Sequence, residues 1–189
     1  MQYDSSNQIH PTAIIDPRAK IGLNNSIGPY VLIGSNVRIG NGNVIMPFAV
    51  IGSAPEHKEF WFLGEDGHKG VIIGDNNFIR EHVTINCGTT EDTIISNDCI
   101  FLSKAHVGHD CIIGSGTQVG CSSSIAGHVV IASDVYIGLN CSIHQKAFVP
   151  RRTCIGMNSV VLVGSCQEPG LTYVGSPVRA VGPNKKWSK

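Results

Sequence analysis

Residues 101–137 read FLSKAHVGHDCIIGSGTQVGCSSSIAGHVVIASDVYI, and an aliphatic or aromatic side chain returns at every sixth position of that stretch. The beat holds without a miss from Ile95 through Phe101, Val107, Ile113, Val119, Ile125, Ile131, Ile137, Ile143, Val149 and Ile155 to Val161. The fifth position of each hexad is usually small, as at Cys99, Ala105, Cys111, Thr117 and Ser123. Period six suits neither a helix of 3.6 residues per turn nor an ordinary strand of period two. It is the signature of a parallel β-helix, whose six-residue units are a short strand plus a turn and bury their apolar face only by stacking.

Outward from this stretch the same beat opens the chain, with isoleucine at 9, 15, 21, 27, 33, 39, 45 and 51. Polar corners such as Asn24-Asn25 and Asn41-Gly42-Asn43 separate these residues, where Asn and Gly adopt the positive φ of a tight turn. The beat stops after Ile51 and resumes at Ile73, Ile79 and Ile85, so residues 53–70 are expected to leave the stack as a loop carrying Phe60-Trp61-Phe62. A loop of that length in a compact repeat marks a functional site or an interface. The ten-residue step from Ile85 to Ile95 implies a four-residue bulge around Thr89 to Asp92. Beyond Val161 the pattern frays into the turn Gln167-Glu168-Pro169-Gly170 and then Tyr173 to Arg179.

With 189 residues the chain is long enough for one sizeable core. Its 14 basic and 14 acidic side chains balance, so no net field draws it to nucleic acid or anionic lipid. No apolar run approaches the ~18 residues that span a bilayer, and the first residues lack the order of a signal peptide. A cytoplasmic protein without membrane insertion is expected. The seven cysteines show no close C-x-x-C pair, and Cys99, Cys111 and Cys141 sit at inward positions, so they read as reduced core residues.

Three hexads per turn of the coil put residues eighteen apart directly above one another, at the ~4.8 Å spacing of neighbouring strands. On that lattice His109 lies beneath Gly127, His128 is one coil up and one residue along, and Gln145 is two coils above His109 with His144 beside it. His106, His109, His128 and His144 all avoid the inward positions and are expected to point away from the core. Imidazole is the side chain suited to accept a proton near neutrality. Asp110 follows His109 as a carboxylate able to orient it, and the unshielded N–H of Gly127 suits an oxyanion. That set fits attack by a hydroxyl or amine on an activated acyl carbonyl, without a covalent intermediate. A zinc hydratase is the alternative, since three histidines can hold zinc with one position open. The close pair here, His106 and His109, is three residues apart, where γ-class carbonic anhydrases space theirs by five.

The segments Ala105-His106-Val107-Gly108-His109-Asp110-Cys111, Ala126-Gly127-His128 and His144-Gln145 resemble the signature of the bacterial acyl-carrier-protein-dependent UDP-N-acetylglucosamine O-acyltransferases of lipid A synthesis. Ile79 to Ile85, Gly88-Thr89 and the opening Ile9-His10-Pro11-Thr12-Ala13 match the same pattern, so the resemblance covers roughly residues 9–145. It implies an all-β, single-domain left-handed parallel β-helix over 1–189, with coils from about 9 to 166, the loop at 53–70 and a short tail at 167–189. It implies a homotrimer with sites in the clefts between subunits. It implies His109 as general base, Asp110 as its partner and Gly127 as oxyanion donor, with His106, His128, His144 and Gln145 as substrate contacts. Glu56, His57 and Lys58 resemble the family's sugar-nucleotide loop, although its usual pair there is Gln-Asp. No metal and no bound cofactor are expected. The acyl group arrives as a thioester of acyl carrier protein or coenzyme A, and the acceptor is a nucleotide-linked sugar. Family members continue into a C-terminal helical domain, which is not expected here. The closing Val174-Gly175-Ser176-Pro177-Val178-Arg179 resembles instead the tail of acetyl-coenzyme A-dependent hexapeptide acetyltransferases.

Overall fold

A computed structural model describes residues 3–57 and 69–187. The hexads form a left-handed parallel β-helix with three faces of ten, eight and seven strands. Most strands are two residues long, such as His106–Val107, Ile112–Ile113 and Gln118–Val119, one on each face in turn. The register confirms the eighteen-residue coil: His106 pairs with Ser124, Ser124 with Ser142, and Ile112 with Val130. Where the chain carries extra residues the pairing skips them, as Thr84 with His106 and Ile72 with Ile94.

The repeating apolar residue points inward on every face. From Ile27 to Val161 these side chains are buried, with Phe101 the largest, and only Ile9, Ile15 and Ile21 at the open first coil are partly exposed. The fifth positions are buried as well, which places Cys99, Cys111 and Cys141 in the core as free thiols. Burial pushes the Cys111 thiol up to about 12 and Cys99 to about 11, so neither supplies a thiolate near neutrality.

Two turn assignments divide. Asn24 and Gly42 take left-handed backbone, with φ of 57° and 66°. Asn25 and Asn43 instead face inward, where Asn7, Asn25, Asn43 and Asn77 form a ladder. Each side-chain carbonyl accepts from the amide nitrogen of the residue above, at 3.1, 3.1 and 3.0 Å, and Cys99 N–H closes the top at 2.8 Å. The ladder satisfies every buried amide it contains, which is what makes polar side chains tolerable inside a prism this thin.

The ends of the loop are firmer than the expected span of 53–70. The strand Val50–Ser53 carries the sheet to Ser53, whose hydroxyl meets Asn86 at 2.8 Å. Gly70 N–H donates to Asp92 at 2.6 Å. Lys58 and Phe60-Trp61-Phe62 lie outside the described residues. The tail also returns to the lattice. Leu171–Gly175 pairs in parallel with Cys154–Ile155, with Tyr173 above Ile155 in the eighteen-residue register, and Val178–Pro183 folds back antiparallel on it. Only the hexad at Gln167 is skipped. Among the described residues no helix is long and apolar enough to cross a membrane.

Candidate active site

The corner between the second and third faces gathers the candidate residues. Each coil enters this corner from a second-face strand and turns through a left-handed residue, Asp110, His128 and Lys146 in successive coils (φ 58°, 59° and 64°). Asp and His tolerate that conformation because a short polar side chain bonds locally. The turn sets His109 beside Asp110, with Nδ1 2.7 Å from Oδ2. That contact leaves Nε2 as the nitrogen available to a substrate.

Gly127 lies directly above. A Cβ at this position would stand 2.5 Å from both Cε1 and Nε2 of His109, so only glycine lets the coil close over the ring. His128 meets the same ring edge to face, with centroids 5.0 Å apart, and its Nε2 is 3.9 Å from Asp110. The expectation that the histidines point outward needs one correction. His109 is only 9% exposed, with Gly127 and His128 of the coil above against its ring, whereas His144 is exposed.

The four-residue bulge supplies what side-chain spacing did not show. Thr89 and Thr90 each donate both their N–H and their hydroxyl to Asp110, at 2.8 to 3.0 Å, and Glu91 N–H donates at 2.8 Å. Burial by itself raises the Asp110 pKa. The N–H groups of Glu91 and Thr89, with the His109 ring and the Thr89 hydroxyl, outweigh it and hold the carboxyl well below the usual carboxylate range. The only sequence trace of this cradle is the ten-residue step from Ile85 to Ile95.

A second relay runs alongside. Thr84 Oγ1 lies 2.8 Å from His106 Nδ1, and His106 Nε2, buried and without an aligned hydrogen bond, is 3.4 Å from the Glu56 carboxylate. Glu56 therefore reaches two coils up from its own strand to the histidine corner. Two adjoining cavities share Glu56, Ala126 and Gln145. One, of 590 Å³, is polar and holds His57, Thr89, Thr90, His109, Gly127, His128 and Lys146. The other, of 640 Å³, is lined by His106, Ser124, Ser142, His144 and the apolar Ile143 and Val160. The structure thus gathers His106, His109, Gly127, His128, His144, Gln145, Glu56 and His57 at one corner, with Asp110 behind His109. Thr84, Thr89, Thr90 and Lys146 are additions.

His109, Asp110 and His128 present ligand atoms within 4.8 Å of one another, the geometry on which a metal reading would rest. Asp110 fits that role poorly: five donors from the bulge and the His109 ring already occupy its lone pairs.

Comparison with known proteins bears on the fold and the family. A family model described as bacterial transferase hexapeptide (six repeats) matches residues 18–53. An acyl-(acyl-carrier-protein) UDP-N-acetylglucosamine O-acyltransferase of Aliivibrio salmonicida is 39% identical over 95 residues, 49% of this chain and 36% of that protein. The solved UDP-N-acetylglucosamine acyltransferase of Bacteroides fragilis is 36% identical and superposes with a TM-score of 0.80 over 94% of this chain and 75% of that one. The chain belongs to the UDP-N-acetylglucosamine acyltransferase family. The solved member from Moraxella catarrhalis, at 32% identity and a TM-score of 0.76, covers 98% of this chain and 76% of its own. Against the curated acyltransferases the match spans only about a third of their length, 36% for the Aliivibrio protein.

Proposed function

We propose that the chain is a cytoplasmic acyltransferase that moves an acyl group from an acyl-carrier-protein thioester to a hydroxyl or amine of a nucleotide-linked sugar such as UDP-N-acetylglucosamine. The observation that carries this reading is the His109 ring, fixed at 2.7 Å by a carboxylate on one side and roofed by a bare glycine backbone on the other. The acceptor hydroxyl gives its proton to His109 Nε2 as its oxygen bonds to the thioester carbonyl carbon. Asp110, held ionised by its cradle, stabilises the imidazolium. Among the described residues nothing accepts a hydrogen bond from the Gly127 N–H, which suits it to the oxyanion. When the carbonyl re-forms, the carbon–sulfur bond breaks and the thiolate takes the proton from His109, leaving ester and thiol.

His128, Gln145, Glu56 and His57 hold the sugar in the polar cavity. His106 and His144 border the more apolar one, where the acyl group is received. The assembly is a homotrimer. Its support is the outward row Ile112, Val130 and Phe148 on the third face, 44%, 36% and 49% exposed beside the catalytic corner, since such contiguous apolar surface marks an interface.

The test is turnover of UDP-N-acetylglucosamine with acyl-carrier-protein thioesters and, separately, with acetyl-coenzyme A, in wild type and His109→Ala. Loss of transfer by about 10³-fold or more in an intact fold is expected. Near-normal turnover in His109→Ala removes the mechanism, and preference for acetyl-coenzyme A transfers the donor assignment to that thioester.

A further inference from the structure

On the second face the outward positions Thr84, His106, Ser124, Ser142 and Val160 form one column, because the register pairs each with the next. Thr84 and His106 meet across the bulge, with Thr84 Oγ1 2.8 Å from His106 Nδ1. The other ring nitrogen, Nε2, is shut off from solvent, makes no aligned hydrogen bond and faces the Glu56 carboxylate at 3.4 Å. A buried polar atom without a partner is uncommon in a folded protein and calls for a reason.

The protons of this contact can be placed from its two ends. An exposed carboxylate is ionised near neutrality and only accepts, so a lone pair on Nε2 would oppose the Glu56 oxygens. In the neutral ring Nε2 therefore carries the proton and Nδ1 the lone pair, to which the Thr84 hydroxyl donates. His109, three residues on, is set the other way: its Nδ1–H donates to Asp110 at 2.7 Å, which leaves the lone pair on Nε2. An anion behind one imidazole makes it an acceptor, and a hydroxyl behind the other makes it a donor.

We propose that Thr84 is a positioning residue that locks His106 as the Nε2–H tautomer, opposite to His109, and through it holds the Glu56 carboxylate toward the acceptor sugar. The two cavities of the corner share Glu56, Ala126 and Gln145, so this carboxylate stands on the boundary between acceptor and acyl group. One of its oxygens engaged by the Nε2–H leaves the second to accept from a hydroxyl or amine of the sugar. A ring in the opposite tautomer would repel Glu56 from that boundary. The identity of the sugar rests on the acyltransferase reading above, whereas the proton positions do not.

The test uses the full chain with nitrogen-15 histidine at about pH 8, above the ordinary imidazole range. Long-range proton–nitrogen couplings tell a protonated ring nitrogen from a bare one, and the His106 signals are assigned by their loss in His106→Gln. Wild type, Thr84→Val and Thr84→Ser are then assayed with UDP-N-acetylglucosamine and an acyl-carrier-protein thioester. Valine keeps the shape of threonine and suits a strand, so the coil is retained. The expected result is the Nε2–H form in wild type and Thr84→Ser, and a mixture with the Nδ1–H form in Thr84→Val. In Thr84→Val the KM for the sugar nucleotide should rise about 10-fold, the worth of one hydrogen bond, with a smaller fall in kcat. Thr84→Ser should restore it. A wild-type ring that is Nδ1–H or doubly protonated, an unaltered ring in Thr84→Val, or an unchanged KM in that variant overturns the assignment. A wild type without turnover on any thioester removes the acyltransferase reading, and the spectra still decide whether Thr84 sets the ring.

Discussion

Asp110 shows how much of the proposed site is backbone. Three N–H groups and two hydroxyls converge on it, and none of the five donors is marked by the side-chain pattern that exposed the histidines. Asp110→Asn keeps the shape but gives the cradle an amide where it is built for an anion, and fixes the wrong tautomer on His109. Turnover should fall by about 10²- to 10⁴-fold, measured as kcat with KM little changed. The lowered pKa also makes a stability statement. Because the folded carboxyl titrates below its unfolded value of about 3.9, its stabilisation is complete above that value and is lost as pH falls further toward the folded pKa. Asp110→Asn should therefore flatten the acid limb of a melting-temperature profile below about pH 4, and an unchanged limb would show that the cradle contributes nothing. Gly127→Ala tests the roof: its Cβ must displace the His109 ring, so activity should drop while the far-ultraviolet spectrum is kept.

Among elements, the coil was legible and its exceptions were partly so. The hexad gives three strands per coil because three faces make the smallest closed prism that hides one inward residue per face, and the register follows from it. The asparagines were ambiguous for a chemical reason: the same side chain suits a left-handed corner, as at Asn24, and a stacked amide ladder one residue later, as at Asn25. The return of the repeat at Tyr173 was hidden because Gln167 occupies the expected apolar position of the preceding hexad. The ladder is open to test. Asn43→Ala strands the backbone N–H and side-chain amide of Asn77 and the Gly74 carbonyl in a buried corner. Urea unfolding should show a loss of about 2–4 kcal/mol, against about 0.5 kcal/mol or less for an exposed site such as Ser122.

At the scale of the whole molecule, the prism carries its reactive groups outside and its thiols inside. Burial, with a smaller contribution from Asp92, pushes Cys87 up to about 12, and burial pushes Cys166 to about 11. A thiol reagent at pH 8 should modify the half-buried Cys121 and Cys154 first, and all seven cysteines only in denaturant. Rapid labelling of all seven in the native protein would contradict the packing described here. The histidine cluster was readable from the count of eighteen alone. The cradle of Asp110 was not, because its donors come from a bulge that the spacing of the repeat does not shape.

The two ends of the stack are finished differently. At the top the chain reverses, and Val178–Pro183 lies antiparallel on the last parallel strand of the first face. At the bottom Ser6 and Asn7 continue the eighteen-residue register and bond upward, the Ser6 hydroxyl accepting from Asn24 N–H and the Asn7 amide donating to the Gly22 carbonyl. A filament grown tip to tail would need two flat, matching rims, each offering unpaired parallel backbone to the other. At the top the antiparallel strand breaks that match on one of the three faces, so a second prism set on this rim could not continue all three parallel sheets in register.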